Sequence, residues 1–438
     1  MIKRTFVVVI VGLLAIAIAT IAQAQLRGHG GPVRALAVSP DGTLAISGSF
    51  DTSAIRWSLE RNAAVEVLRF HEGAVNAVAY LPDGRVATAG EDGRIALWRP
   101  GEPQPVAVLE GHQAPVVGLA VSPDGATLAS ASWDHTARLW PLAGGAPRVI
   151  EGHTQNVNGV AFTIDGRALV TAGYDATLRV TPLVGDGGGP IVTTLPAPLN
   201  TVAVSPDGEI VTAGADGKVY VLAATGELKS EIEAAQTPII AVALSVDGRL
   251  IAAAGIRGSV AIIDRASRKL ERTLVGPGLP VWSAAFFPDG RTLLTGGADR
   301  MIRRWDAVSG EPVGNVVMGA PEDPLAAFAG DPGAEVFRAC VACHTLSAED
   351  GPRAGPTLAG IFGRKIATLP GYNFSEALKK LDIVWTPATV SKLFEVGPTA
   401  YTPGTKMPEQ QIGSAEDRAA LMTFLEKTTN GQGERTPR

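Results

Sequence analysis

The sequence predicts a multidomain chain, an all-β propeller of seven four-stranded blades followed by a small all-α domain. Three observations predict it. A turn built on Asp-Gly recurs seven times, with its Asp at Asp41, Asp83, Asp124, Asp165, Asp207, Asp247 and Asp289. The intervals are 42, 41, 41, 42, 40 and 42 residues, a period that belongs to propeller blades. Beyond the last copy, helix start and stop signals appear instead, and they frame Cys340-Val341-Ala342-Cys343-His344, which holds both cysteines of the chain.

At 438 residues the chain is too long for one ordinary core. A net charge of -5 argues against nucleic acid as the main partner. Residues 1–24 have the pattern of a secretory signal peptide. Lys3 and Arg4 precede an apolar run from Phe6 to Ala19, and Ala22-Gln23-Ala24 is a small-residue cleavage site. Cleavage after Ala24 is expected, leaving Gln25 first. An uncleaved segment would make a membrane anchor, and no other segment could span a bilayer.

The propeller is expected over residues 25–318. Each unit has an apolar strand before the turn, such as Val33–Val38, and a second after it, such as Thr43–Gly48. Two shorter strands close the unit. Asp-Gly after Pro suits the turn because Pro presets one dihedral and Gly takes a positive φ. These units resemble WD repeats. The resemblance implies a buried tetrad in three copies: His29, Ser47, Asp51 and Trp57; His71, Thr88, Asp92 and Trp98; His112, Ser130, Asp134 and Trp140. A fourth keeps His153, Thr171 and Asp175 but has Thr181 in the Trp slot. The fifth and sixth are degraded, with Leu222 and Ile263 there and Arg257 replacing the Asp, and the seventh has Thr295, Asp299 and Trp305 without the His. A repeated network satisfies buried polar groups, so these histidines read as structural rather than metal-binding or catalytic. The propeller reads as a scaffold for a protein partner. Little chain precedes the first repeat, so ring closure is expected from the C-terminal side, with residues 311–318 as the outer strand.

Residues 319–330, with Pro321 and Pro324, read as a linker. The all-α domain is expected over 331–430, with a tail at 431–438. Asp331 and Pro332 open a helix that runs into the cysteine motif. Thr386-Pro387 opens a second helix, stopped by Gly397-Pro398. Ser414-Ala415-Glu416-Asp417 opens a third, with Leu421, Phe424 and Leu425 on one face. C-x-x-C-H is the attachment pattern of a covalent haem. On a helix, Cys340, Cys343 and His344 share a face, so two thiols can bond one porphyrin while the imidazole reaches its iron. A redox dithiol would not explain the His.

This domain resembles class I cytochrome c of the mitochondrial type, and the markers fall in the family's order. Gly333 and Phe337 precede the motif, and Gly355-Pro356-Thr357-Leu358 matches the segment whose Pro orients the ligating His. Arg364 and Tyr372 match the loop around the haem propionates, and Trp385 the indole that bonds one of them. Tyr401-Thr402-Pro403-Gly404-Thr405-Lys406-Met407 matches the loop that supplies the sixth ligand. The resemblance implies one covalent haem c with His344 and Met407 on the iron, and Cys340, Cys343, Pro356, Arg364, Tyr372, Trp385 and Tyr401 around it. Met422 sits among packing residues of the last helix and reads as core. Residues 331–438 hold twelve Lys/Arg and twelve Asp/Glu, so a strong basic face like that of mitochondrial carriers is not expected.

Two axial protein ligands favour electron transfer over small-molecule chemistry. The expected function is a periplasmic single-electron carrier, not an enzyme, with redox partner proteins and a propeller that docks a protein. Electrons would pass at an exposed haem edge near Cys343. The alternatives are a haem-dependent oxidoreductase with substrate on the propeller, and a haem-based redox sensor.

Overall fold

A computed structural model describes residues 25–185, 188–275, 278–313, 325–347 and 351–429. The expected signal peptide and C-terminal tail lie outside them. Each repeat forms one antiparallel four-stranded sheet, and there are seven such sheets. Six use strands in chain order, within residues 33–69, 75–109, 116–150, 157–194, 199–233 and 239–275. At the first turn, Gly42 takes φ 71° and the Asp41 carboxylate accepts from Ser39 Oγ at 2.6 Å and Thr43 N at 3.0 Å. Those bonds hold the turn where the chain must reverse between the two inner strands.

The core lies between blades. Strands such as Val86–Gly90 are buried along their whole length because a neighbouring sheet covers each face. Ile46, Ala54, Val75, Val86 and Trp98 join blades 1 and 2, while Leu250, Ile262, Val281, Phe286 and Trp305 join blades 6 and 7. Blades 5 and 6 keep their sheets without a full tetrad, because inter-blade packing of Val211, Val219, Ile251 and Ile263 carries them.

Ring closure departs from the expectation. The outer strand of blade 7 is Gln25–Arg27, with Gln25, Leu26 and Arg27 opposite Arg303, Ile302 and Met301. The expected donor segment supplies only a bridge of Pro312 to Trp305 and a bond from Val313 N to Arg304 O at 3.0 Å. Its remaining residues, 314–318, lie outside the described ones. Pro312 has no N–H with which to extend a ladder, whereas Leu26 buries its side chain to 3 % exposure.

The C-terminal domain has helices α1 (Pro332–Phe337), α2 (Glu376–Lys379), α3 (Pro387–Val396), α4 (Pro398–Tyr401) and α5 (Ala415–Thr429). Asp331 caps α1 by accepting from Gly333 N at 2.9 Å and Ala334 N at 3.3 Å. Thr386 and Thr389 form a reciprocal capping box on α3, and Gly397 ends it at φ 95°. Helices α1 and α5 cross closely at Gly333, where a Cβ would meet Ala420 O at 2.2 Å. Part of the segment expected to be linker packs on the domain core. Leu325, read as linker, is 1 % exposed within the same core as Phe337 and Phe424, and the Phe328 ring meets Phe424 edge-on at 5.1 Å. Among the described residues, no helix is long and apolar enough to cross a membrane.

Candidate functional site

Helix α1 stops before the cysteine motif rather than running through it. Isolated helical turns carry the motif onward: Cys340 N bonds to Phe337 O at 2.8 Å and His344 N to Cys340 O at 2.9 Å. The i, i+4 bond keeps Cys340 and His344 on one face even so. His344 Nδ1 donates to Pro356 O at 2.7 Å, which leaves Nε2 without a proton in the neutral ring. Burial pushes the imidazole toward that neutral form. Gly355 is required beside it, because a Cβ there would lie 2.6 Å from His344 Cε1.

Cys340, Cys343, His344, Pro356, Arg364, Tyr372, Trp385 and Met407 all line one cavity of about 800 Å³. Its remaining wall is mainly apolar, including Phe337, Leu358, Ile361, Val390 and Leu393. Tyr401 is the one sequence-predicted residue outside this lining, and it packs against the domain core. Met407 lines the cavity, whereas Met422 is 6 % exposed in the core and does not. Arg364 donates one N–H each to Ala359 O at 3.2 Å and Thr357 O at 3.0 Å. The two cysteines are unbridged. Burial pushes the Cys340 thiol up to about 12 and the Cys343 thiol up to about 11.

Two family models match the chain. The WD domain, G-beta repeat matches residues 21–58, 63–99, 103–141, 145–181, 189–221 and 268–306. Cytochrome c matches residues 330–429. The chain is 42% identical over 98 residues to a cytochrome c of Cochliobolus lunatus, covering 22% of this chain and 90% of that protein. It is 42% identical over 98 residues to a cytochrome c of Arabidopsis thaliana, covering 22% and 87%. Against a cytochrome c2 of Rhodomicrobium vannielii it is 39% identical over 106 residues, covering 24% and 83%.

The chain belongs to the WD-repeat family, and its C-terminal domain to the cytochrome c family. The repeat matches leave out residues 222–267, where blade 6 carries Arg257, yet the sheet forms there all the same. Membership implies a covalently bound haem c. The cavity suits one: its volume falls within the ~300–1,000 Å³ of cofactor sites, its wall is apolar, and its donors are two thiols, an imidazole nitrogen and a thioether.

The cytochrome domain is seated on the propeller, which covers the half-buried Cys343. A Cβ at Gly30 would lie 2.0 Å from Cys343 Sγ. Gly30, Phe50, Asp51, Arg69, Phe70 and Glu72, all from blades 1 and 2 or the segments leading into them, form the outer wall of the cavity. Arg69 reaches across to bond Ala354 O at 3.0 Å through Nε, and it also bonds Arg353 O. Its guanidinium lies 3.8 Å above the Tyr372 ring, whose hydroxyl donates to Ala354 O at 2.8 Å. Asn373 bonds Arg69 O at 3.0 Å, Ala354 N bonds Gly28 O at 3.1 Å, and Lys406 donates to Phe70 O and His71 O. Sequence reasoning missed this wall. The signal was a break in the repeat: Arg69-Phe70 precedes His71, where Glu110-Gly111 and Glu151-Gly152 precede His112 and His153.

Proposed function

We propose that the chain is an exported, periplasmic class I cytochrome c that carries single electrons on one haem, with the propeller as its docking scaffold. The observation that carries this reading is the convergence of His344, Met407 and both thiols on a single apolar cavity. The haem, when bound, supplies a one-electron couple. Cys340 and Cys343 would hold it by thioether bonds to its vinyl groups. His344 would offer Nε2 to the iron, held in that tautomer and orientation by Pro356 O, and Met407 would offer its sulfur. With both ligands bound, the iron would keep no coordination site for a substrate. Arg364, Tyr372 and Trp385 would serve the propionate side.

The docking role draws support from the propeller face itself. Phe50, Trp133 and Tyr174 stand just before a tetrad aspartate in blades 1, 3 and 4, and each is more than 40 % exposed. Phe50 already lines the cytochrome's seat, which leaves Trp133 and Tyr174 for another protein. Export draws support from the N-terminal pattern of residues 1–24, and cleavage after Ala24 would spare the closing strand Gln25–Arg27.

The test is spectroscopic. Ferric protein is expected to show the weak red charge-transfer band of sulfur–iron ligation. Met407→Ala should abolish the band, and Met422→Leu should keep it. Loss of the band in the Met422 variant alone would overturn the ligand assignment. Intact mass of the exported protein should place Gln25 first, and steady consumption of nitrite or peroxide would favour an enzyme.

A further inference from the structure

The innermost strand of every blade carries a β-bulge. In blade 1 the register slips between Val33 and Ala35, and the other six slip at the equivalent step. A bulge leaves one residue out of the ladder and re-aims its side chain. The residues left out are Arg34, Asn76, Val117, Asn158, Asn200, Ile240 and Trp282, one per blade, and all line a single central cavity of about 360 Å³.

This ring is not uniform. Asn158 Nδ2 donates to Leu199 O at 2.9 Å and Asn200 Nδ2 to Ile239 O at 2.8 Å, so each ties its bulge to the next blade. Asn158 Oδ1 also accepts from Trp133 Nε1 at 3.0 Å. Arg34 and Asn76 differ. Neither side chain makes a hydrogen bond or ion pair with any described residue, and they occupy neighbouring positions of the ring. Among the described residues no carboxylate lines the cavity. An arginine stays charged at neutral pH, and a confined charge without a counter-charge is costly. Burial alone pulls the Arg34 pKa below its usual value.

We propose that Arg34 and Asn76 bind the carboxylate of a small organic acid in the central channel. The planar guanidinium matches a carboxylate through two parallel hydrogen bonds. The Asn76 amide adds an N–H donor from the next blade, and Trp282 on the other side of Arg34 offers an apolar wall. The cavity lies at the small end of the ~300–1,000 Å³ that hold small ligands, which suits a small acid rather than a protein element. A peptide could present the same group by an acidic side chain or its C-terminus, so the experiment separates the two sources.

The experiment is calorimetric titration of the full-length haem-loaded protein with succinate and, separately, with a short acidic peptide. Saturable succinate binding is expected, weakened about tenfold or more in Arg34→Gln, partly restored in Arg34→Lys and weakened in Asn76→Ala. An unchanged haem spectrum and melting temperature would show that the variants fold, and Asn76→Ala, on another blade, keeps the test decisive if Arg34→Gln does not. Absence of saturable binding, or equal binding by wild type and Arg34→Gln, would overturn the site. Peptide binding without succinate binding would overturn the small-acid assignment.

Discussion

At the scale of single residues, the propeller's histidines act as bridges. His29 Nδ1 lies 2.9 Å from Asp51 and Nε2 lies 2.7 Å from Ser47, whose oxygen also accepts from Trp57 Nε1 at 2.7 Å. His71 and His112 repeat the arrangement. In blade 4, His153 still joins Asp175 to Thr171 at 3.0 and 2.8 Å, although Thr181 replaces the indole. Blade 5 substitutes a phenol, with Tyr220 donating to Asp216. Burial alone would raise the Asp51 carboxyl, but the neighbouring His29 and bonds from His29 and Ser53 outweigh it and hold it at about 2. Asp175 is likewise held at about 2, burial being outweighed by bonds from Thr177, Thr154 N and His153. These folded-state values lie below an unfolded aspartate's ~3.9. The stabilisation is therefore complete above that unfolded value and is lost as pH falls toward 2. The melting temperature of the propeller should drop steeply between about pH 4 and pH 2. Asp175→Asn should lose about 1–3 kcal/mol near neutrality and show a shallower acid slope. An identical slope in the variant would show that this carboxylate is not the source.

At the scale of elements, what the sequence revealed follows from where the chemistry is periodic. The Asp-Gly turns recur even in blades 5 and 6, so seven sheets were readable although the tetrad fails at Leu222, Arg257 and Ile263. The closing strand was not readable, because three residues, Gln25–Arg27, are too few to show an alternating pattern. The packing of Leu325 and Phe328 on the cytochrome core was hidden for a similar reason, because prolines mark this stretch as linker. The cysteine motif and Met407 were legible because few residue types serve their chemistry. Tyr401 was placed by the match of the whole Tyr401–Met407 segment; it ends α4 and packs on the same core as Trp385 and Met407. A prediction belongs to the closing strand. Leu26 packs with Ile55, Trp57, Leu294 and Ile302, so Leu26→Ala should destabilise the propeller by about 2–4 kcal/mol. Pro312→Ala, in the segment that only bridges, should change stability by less than ~0.5 kcal/mol. Chemical denaturation of the two variants checks it, and the reverse order would restore closure from the C-terminal side.

At the scale of the whole molecule, the propeller covers the haem cavity it would otherwise leave open. Gly30 sits against Cys343, and Arg69, Asn373 and Lys406 hold the two domains together, largely by bonds to backbone carbonyls. Three consequences separate this arrangement from a tethered but free cytochrome. A protein donor cannot reach the Cys343 edge while the seat is closed, whereas a small reductant can still deliver electrons to the rim. Loss of a charged hydrogen-bond donor such as Arg69 removes about 1.5–3 kcal/mol of the contact. That loss should raise the open population about tenfold or more. The ion pair between Lys406 and Glu72 spans 3.9 Å at a partly exposed site, so salt should contribute little beside the carbonyl contacts. The full-length Arg69→Ala protein is therefore expected to accept electrons about tenfold faster from a reduced protein donor. Its rate with dithionite should stay close to wild type, and moderate salt should not reproduce the gain. Stopped-flow reduction of both proteins by both donors measures this ratio. A protein-donor rate unchanged by Arg69→Ala would mean that the seat does not limit access to the haem. Equal acceleration with both donors would mean that the substitution has altered the haem itself, because a cover alone discriminates by size.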